Sequence, residues 1–303
     1  MKMQKLLLMC VVLLGTISFI SCSDDEPNDN TGGNGNGSDV LMLPVKLYNT
    51  DKSANSVIEF EYDSENRVKG IIEKRLINNE FFKSETTQNI TITYGNSANR
   101  DEAITDIYCK RVISGTNVVG KITQEEFYEV DYEGSSVGIR LVRSTNDNNT
   151  DGTGTALGII VLELDKNKRV IERKESWEDG LVALHKYTYD TKGNITEDRH
   201  GNSANGGEIT TMVRIMEYDD KYNIYHAVNA PRWIGDLPLG GTVSKEVNNV
   251  TKLIASDANM ENINTTTSVY EYNSDDYPVK YINKSSDENI VDSEWIIEYR
   301  KIN

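Results

Sequence analysis

Apolar and polar side chains alternate along much of the chain, and short polar turns interrupt the alternation. In one run Ile58, Phe60 and Tyr62 alternate with acidic residues, and similar runs occur at 89–94 and 294–300. Because successive side chains of a strand point to opposite faces of a sheet, this pattern predicts strands with one buried and one hydrated face. The chain accommodates about fourteen to sixteen strands of roughly five to eight residues each.

A polar turn of one recurring kind separates several of these runs. After the run that ends in Tyr189-Asp190, Gly193 lies three residues beyond the aspartate and Ile195 begins the next run. Gly and Asn adopt positive φ more readily than other residues, so we expect Gly193, and Asn66 in a related turn, to occupy the left-handed position of a short bulged loop. Four other pairs precede related turns: Tyr62-Asp63, Leu164-Asp165, Tyr218-Asp219 and Tyr272-Asn273.

The spacing within these units is nearly constant. In four of them an apolar residue follows six places after the Tyr or Leu, whereas Val279 follows Tyr272 by seven. After Tyr218-Asp219 the turn is expected at Asn223-Ile224. The intervals between units are uneven, which predicts degenerate hairpins and not an exact repeat array. The expected fold class is all-β, an antiparallel meander of hairpins curled into a barrel-like sheet or a sandwich.

The N-terminus carries signals of export. Lys2 and Lys5 precede an apolar run from Leu6 to Ile20, and Ser21-Cys22 follows. A run of this length is shorter than the roughly 20 residues of a membrane span. A small residue before cysteine after such a run resembles the lipobox of bacterial lipoproteins, which implies cleavage before Cys22 and its lipidation. A plain signal peptide and an anchoring helix are the alternatives.

An acidic cluster follows the cysteine, formed by Ser23, Asp24, Asp25 and Glu26. It resembles the surface-export signal of Bacteroidetes lipoproteins, which implies a lipid-anchored protein of the outer membrane that faces the cell exterior. A solvated linker is the alternative, since any acidic run can serve as one.

The chain divides into three segments. Residues 28–39 consist of Gly, Asn, Asp, Ser and Thr, and a segment without apolar side chains is expected to be a flexible tether. The predicted organisation is a lipoprotein signal peptide (1–21), a lipidated cysteine with a tether (22–39) and a β-rich hairpin-repeat domain (40–303).

Charge restricts the partners. The 303 residues include 32 Lys and Arg against 48 Asp and Glu, a net charge of −16. Cleavage before Cys22 removes Lys2 and Lys5 and no acid, so the mature chain is more acidic still. An acidic surface argues against binding nucleic acid and against electrostatic docking on anionic lipids. Contact with the membrane is therefore expected through the lipid at Cys22.

Candidate catalytic chemistry is sparse. His185, His200 and His226 are the only histidines, and none lies in a zinc-protease motif or beside a serine elbow. Once Cys10 leaves with the signal and Cys22 is lipidated, Cys109 remains alone, so no intrachain disulfide forms. Cys109 lies in a predicted strand and is interpreted as a core residue. No catalytic, cofactor-binding or metal-ligating residue is assigned.

Two loops leave alternatives open. Residues Asp147 to Gly152 match the first half of a calcium-binding loop, but its twelfth position is Gly158 where a bidentate glutamate is needed. A polar hairpin loop is the favoured interpretation. In the second loop Trp233, next to Arg232, could stack on a sugar ring if exposed. Since Trp is usually buried, we predict a tryptophan that plugs the end of the sheet.

Four segments carry a family resemblance: FEYDSENRVKGI, YTYDTKGNIT, SKEVNNVTKL and YEYNSDDYPVKYI. Behind the lipobox they resemble a Bacteroidetes surface lipoprotein family of unknown function with a porin-like β architecture, over about residues 40–303. The hairpins are also similar, more weakly, to the tyrosine–aspartate repeats of Rhs-type proteins, although only Gly193-Asn194 keeps the Gly-Asn pair typical of those turns. The family resemblance implies no catalytic residues.

Both soluble and membrane barrels show alternation, so other features must separate them. Lys74, Lys186 and Glu163 fall within predicted strands, and the runs are shorter than the 9–11 residues of a membrane strand. The prediction is a water-soluble sheet. The expected function is a non-catalytic binding or scaffold module with a glycan or a surface protein as partner. The alternative is a surface glycoside hydrolase, which would need two carboxylates at a set separation.

Overall fold

The computed structural model describes residues 40–49, 54–78, 83–95, 107–117, 120–146, 158–176, 182–204, 207–231, 233–237, 246–286 and 292–302. These residues form sixteen β-strands and a 3-10 helix at Ile234–Asp236. The strands are β1 (Met42–Asn49), β2 (Ala54–Tyr62), β3 (Val68–Asn78), β4 (Lys83–Thr93), β5 (Ile107–Asn117), β6 (Gly120–Glu133), β7 (Ser136–Asn146), β8 (Ile159–Leu164), β9 (Val170–Ser176), β10 (Val182–Tyr189), β11 (Ile195–Ala204), β12 (Gly207–Tyr218), β13 (Val250–Asp257), β14 (Asn264–Tyr272), β15 (Pro278–Ser285) and β16 (Ser293–Lys301). Among the described residues, no helix is long and apolar enough to cross a membrane.

The strands form one closed antiparallel barrel. Each strand pairs with the next along the chain, and β1 closes the barrel against β16 with Leu47 opposite Ile297. The all-β meander of hairpins is confirmed, and so is the barrel. The sandwich alternative is wrong, because the first and last strands pair with each other and leave no sheet edge.

The strands are longer than predicted, with lengths from 6 to 14 residues. Apolar alternation marks only part of each strand. In β4, for example, Ile90 and Ile92 are buried, while residues 83–88 continue the strand with polar side chains. Where part of a strand is polar on both faces, its sequence shows no apolar alternation. The sequence pattern therefore ends before the hydrogen-bonded ladder does.

The apolar core lies inside the barrel at the end where the recurring turns are found, which we call the turn end. Phe60, Ile71 and Ile90 are cross-strand neighbours on three successive strands, and all three are buried. Towards the opposite end, which we call the far end, the inward positions become polar and partly exposed. The inner wall therefore changes from apolar core to hydrated surface along each strand.

The turns have the predicted geometry. Gly193 has φ 98° and Asn66 has φ 61°, and Lys168 and Asp276 occupy the same position in their turns with φ 59° and 60°. At Tyr272 the expected seven-residue spacing is wrong. Pro278, six residues later, pairs with Tyr272 and begins β15. The six-residue spacing therefore holds in this hairpin too, although proline ordinarily marks the end of a strand pattern.

Tyrosine hydroxyls link neighbouring strands at the turn end through hydrogen bonds. Six inward tyrosines on even-numbered strands each donate a hydrogen bond to a backbone carbonyl near the start of the preceding strand. The pairs are Tyr62 to Pro44, Tyr94 to Val68, Tyr189 to Val170, Tyr218 to Ile195, Tyr270 to Val250 and Tyr299 to Pro278, at 2.6–3.0 Å. A tyrosine buries its ring here while its hydroxyl keeps a partner, which explains why this residue type recurs before the turns.

The turn after Tyr218-Asp219 does not close at Asn223-Ile224, so that prediction is wrong. The Asp219 carboxylate accepts the backbone N–H of Asn249, thirty residues later, at 3.1 Å, and the Asn249 side chain also donates to it. Asp190 and Asn194 make the same contacts four residues apart. The turn is therefore preserved with an insertion of residues 220–248. We call its described residues, 220–231, 233–237 and 246–248, the plug.

The plug enters the barrel at the turn end. Its apolar side chains belong to the same buried core as the strands: Ile224, Tyr225, Val228, Trp233, Ile234 and Leu237. Trp233 is 3% exposed, which confirms the prediction of a buried tryptophan at the end of the sheet. The Asn194 side chain holds the C-terminal end of the plug, because its Oδ1 accepts the backbone N–H groups of Val247 and Asn248, each at 3.0 Å.

Gly193→Val is expected to lower the free energy of unfolding by about 1–3 kcal/mol, because a β-branched side chain is strained at positive φ. Gly193→Asn should cost clearly less, since Asn tolerates this region. Lys192→Val, at the exposed neighbouring position, should change stability by no more than about 0.5 kcal/mol. Urea denaturation of the three variants ranks them, and equal costs for Val and Asn at position 193 would contradict the turn assignment.

Candidate functional site

Several predicted sites lie outside the described residues. These are the lipidation site Cys22, the export cluster of Ser23, Asp24, Asp25 and Glu26, and the loop from Asp147 to Gly152. Cys109 is described, lies in β5 and is 1% exposed. Burial raises the pKa of its thiol to about 12, so it is a core residue as predicted and not a nucleophile.

The most concentrated polar chemistry among the described residues lies on the inner wall, where the apolar core ends. Inward side chains there are charged or amide-bearing, and we call them the interior belt. The belt has a first arc on β3–β6 (Glu73, Arg75, Gln88, Arg111, Gln124 and Glu126) and a second arc on β9–β12 (Arg173, Glu175, His185, Asp198, His200 and Arg214). Most of these side chains are partly exposed, so they line the hydrated half of the interior.

The first arc is a chain of hydrogen bonds across four strands. Arg111 donates to Gln88 Oε1 at 2.9 Å and to Glu126 Oε2 at 3.1 Å. Glu126 also accepts from Gln124 and from the Tyr128 hydroxyl, both at 2.6 Å. Glu73, at the other end of the arc, accepts from Arg75 at 2.5 Å. Buried carboxylates are expensive unless they are paired, and each of these two has an arginine partner.

The second arc is built around Asp198. This buried carboxylate contacts His185 Nδ1 at 3.0 Å through Oδ1 and Arg214 at 3.4 Å through Oδ2. On β9, Arg173 forms an ion pair with Glu175 at 2.8 Å. Both arginine side chains are mostly buried but reach solvent, at 15% and 18% exposure.

Two histidines stack within this arc. The rings of His185 and His200 lie 4.3 Å apart and almost parallel, and the ring of Tyr187 lies 6.0 Å from His185. Partial burial, and then the neighbouring His185, lower the pKa of His200 to about 4. His200 is therefore neutral at physiological pH and offers one donor and one acceptor nitrogen. His226 lies elsewhere, stacked on Tyr222 in the plug at 4.2 Å.

The plug contributes one side chain to the second arc. Asp236, the last residue of the 3-10 helix, is buried, and its Oδ1 lies 3.5 Å from Arg173 Nε. Its Oδ2 has no hydrogen-bond partner. Burial raises the pKa of Asp236 to about 6, although Arg173 and His185 act in the opposite direction. The arc therefore joins barrel wall and plug through one titratable carboxylate.

This arrangement is suited to hydrogen bonding. Each of the four arginines has a carboxylate partner on the wall, so the belt itself is charge-balanced. Among the described residues, no group of three or more His, Cys, Asp or Glu side chains is placed to hold a metal ion. The belt offers many fixed donors and acceptors side by side.

Part of the second arc was within reach of the sequence. In the hairpin HKYTYDTKGNITEDRH, the correctly placed turn brings Tyr189 opposite Ile195 and His185 opposite His200. Counting back from Tyr189 and Ile195 alone would pair His185 with Arg199. A β-bulge between Ile195 and Glu197 shifts the register by one residue, and this shift pairs the two histidines and puts Asp198 on their face. The contributions of Arg173 on β9 and Asp236 in the plug have no such local signal.

No protein-family model matches this chain, and no curated protein matches it. Among solved structures, it is similar to a porin-like protein from Bacteroides uniformis ATCC 8492, with 12% identity, 87% of this chain and 98% of that chain covered, and a TM-score of 0.48. It is also similar to a porin-like protein from Bacteroides vulgatus ATCC 8482, with 11% identity, 86% and 99% coverage, and a TM-score of 0.42. At these values the similarity carries no information about function.

Proposed function

We propose that this protein is a lipid-anchored, non-catalytic binding module on the cell surface, and that its barrel lies in water. The observation that supports this most directly is the polarity of the outer wall. Lys and Arg form ion pairs there with neighbouring acids: Lys74 with Glu59, Lys110 with Glu125, Arg140 with Asp131, Lys252 with Glu217 and Lys280 with Glu294.

Such a wall is opposite to that of a transmembrane barrel. A membrane barrel presents an apolar band to lipid, and a Lys or Arg at its midplane costs about 2–4 kcal/mol. Here the apolar side chains of the core face inwards and pack against the plug, while the outer wall carries charged pairs among scattered exposed apolar residues such as Tyr108 and Val269. The polarity of the wall replaces the argument from strand length, which the observed strands do not support. The lipid at Cys22 would then provide the attachment to the outer membrane.

The plug also argues against a pore. Sixteen-stranded membrane porins leave an aqueous channel. In this barrel, buried residues of the plug, including Tyr225, Trp233 and Ile234, fill the interior at the turn end. We infer that the plug closes the barrel at the turn end. The inner wall towards the far end then presents polar side chains to a partner.

The hydrolase alternative has one supporting observation. Asp236 has a raised pKa and lies in the same arc as Asp198, and pairs of carboxyl groups with unlike surroundings are typical of glycosidases. Against it, Asp236 is buried beneath Arg173, and Asp198 is engaged by His185 and Arg214. Turnover of a glycoside panel that is lost in Asp198→Asn would favour the hydrolase over the binding module.

Fractionation of cells tests the proposal. The parent is expected in the outer membrane, and a Cys22→Ala chain behind an ordinary cleavable signal peptide is expected in the soluble fraction without detergent. A barrel embedded in lipid would stay in the membrane whether or not Cys22 is lipidated. In a second arm Asp24, Asp25 and Glu26 are changed to Ala with Cys22 retained. This variant should keep its lipid but become protected from protease added to intact cells, and undiminished cleavage would contradict the export signal.

A further inference from the structure

The interior belt lies on the inner wall of the barrel, next to the apolar core. A sixteen-stranded barrel is too wide for side chains from the wall alone to fill it. The plug and apolar core occupy the turn end, and the belt begins directly above them. On β14–β16 the inward side chains beyond the core are uncharged and polar, and they are Thr266, Ser268, Asn283 and Ser293. The hydrated half is thus lined by hydrogen-bonding groups on several sides.

The charge of the belt indicates what kind of ligand fits. An anionic ligand requires arginines that are free to bind it, but Arg75, Arg111, Arg173 and Arg214 are each already paired with a carboxylate. A cationic ligand would require several carboxylates in excess, whereas Asp236 of the plug is the one belt carboxylate beyond the four paired ones, and it lies 3.5 Å from Arg173. An arginine paired with a carboxylate presents hydrogen-bond donors and acceptors side by side. Such a pair can bind hydroxyl groups, which both donate and accept.

The second arc adds two further features. The rings of His185 and His200 are stacked face to face, and the outer face of this pair is a flat ring surface of the kind that packs on the C–H face of a sugar ring. Asp236 is buried next to Arg173, and its second carboxylate oxygen has no hydrogen-bond partner. Binding sites combine an apolar surface with a few fixed polar groups in this way.

We propose that the interior belt binds a neutral oligosaccharide, with its second arc as the main contact. The inference rests on the proposed function, since it names the ligand class of the non-catalytic binding module. Glu175, His200 and Arg214 contact sugar hydroxyls from the wall, and the imidazole pair supports a ring. The charge balance of the belt rejects uronate-bearing and sulfated chains.

Isothermal titration with the mature chain, residues 22–303 with Cys22→Ala, tests this inference. Dextran, xyloglucan and soluble starch serve as neutral probes, and polygalacturonate and heparin as acidic ones. We expect binding to at least one neutral probe and none to the acidic probes. His200→Ala and Glu175→Gln should each weaken that binding by about tenfold, as expected for the loss of one fixed hydrogen-bonding group.

Matched controls lie away from the belt. His226→Ala in the plug and Glu217→Gln on the outer wall should change the affinity by less than about twofold, since exposed sites away from a contact contribute little. Unchanged thermal unfolding shows that each variant is folded. Absence of binding to every neutral probe, preference for an acidic probe, or equal losses in belt and control variants would overturn the inference. Fractionation of the Cys22→Ala chain is independent of these outcomes, so the proposed function can stand if the ligand class fails.

Discussion

Trp233→Ala is expected to lower the free energy of unfolding by about 3–5 kcal/mol, the largest effect of any single truncation we propose. Trp233 is buried in the plug next to Ile234, which is fully buried, and both belong to the barrel core. Removing the indole leaves a cavity where the plug meets the wall. Asp219 accepts the backbone N–H of Lys221 at the start of the plug, and Asn194 accepts those of Val247 and Asn248 at its end, so the plug is not free to collapse into that cavity. Urea denaturation of the mature chain measures the change.

Ile209→Ala is the matched control on the outer wall. Ile209 is 62% exposed, and its truncation should change stability by no more than about 0.5 kcal/mol. A loss below about 1 kcal/mol for Trp233→Ala would mean that the plug contributes little to the core. The inference that the plug closes the barrel at the turn end, on which the proposed function relies, would then be wrong.

The second large effect is a pH dependence with opposite signs at two neighbouring sites. Burial raises the pKa of Asp236 from 3.8 to about 6 in the folded protein. The folded state therefore takes up a proton near pH 6 that the unfolded chain takes up only near 3.8. The stabilisation of the folded state that this proton provides is fully present below pH 3.8, the pKa in the unfolded chain. It is lost as the pH rises through about 6, the pKa in the folded protein. The shift corresponds to about 3 kcal/mol.

His200 acts in the opposite direction within the same interval. Its pKa falls from 6.5 to about 4 on folding, chiefly through burial. As the pH falls below 6.5, the unfolded chain binds a proton that the folded state does not, so stability declines. The effect is smaller than that of Asp236, because the ring of His200 is partly exposed and solvent screens it. In the parent protein the two effects offset each other.

Single variants should reveal the two slopes. Asp236→Asn removes the group that stabilises the fold in acid, so its stability should fall more steeply than the parent's between pH 6.5 and 4. His200→Gln leaves Asp236 in place, so its stability should rise relative to the parent over the same interval. Denaturant midpoints across this interval measure both slopes. Equal slopes in the two variants would show that these groups do not titrate as their surroundings indicate.

Local features of the fold were accessible from the sequence for a physical reason. The positive φ at Gly193 and Asn66 depends on the residue itself and its immediate neighbours. The two-residue period marks the buried face, which is why Cys109 and Ile58 were assigned to the core. The number of strands follows from counting the runs and their turns. Strand ends were underestimated because ladder hydrogen bonds extend into segments that are polar on both faces.

The candidate site was accessible only in part. The turn at Gly193 was predicted, but the pairing of His185 with His200 also depends on a β-bulge after Ile195, which shifts the register by one residue and which the apolar pattern does not mark. The partner of Arg173 in the plug is not local, since Asp236 follows it by more than sixty residues in the chain. Charge pairs between distant segments leave no periodicity, and an acidic chain offers many equivalent carboxylates.

The sequence by itself determined that the chain is a meander of β-hairpins with defined turn residues and an inward apolar face. Tertiary structure alone decided that the meander closes, that the plug enters the barrel, and that charged and amide-bearing side chains from eight strands form the two arcs of the belt. Closure pairs Met42 with Lys301 through backbone hydrogen bonds, which any two strands of suitable length can make. Those groups are the same in every residue, so the choice of partner appears only once the chain is folded.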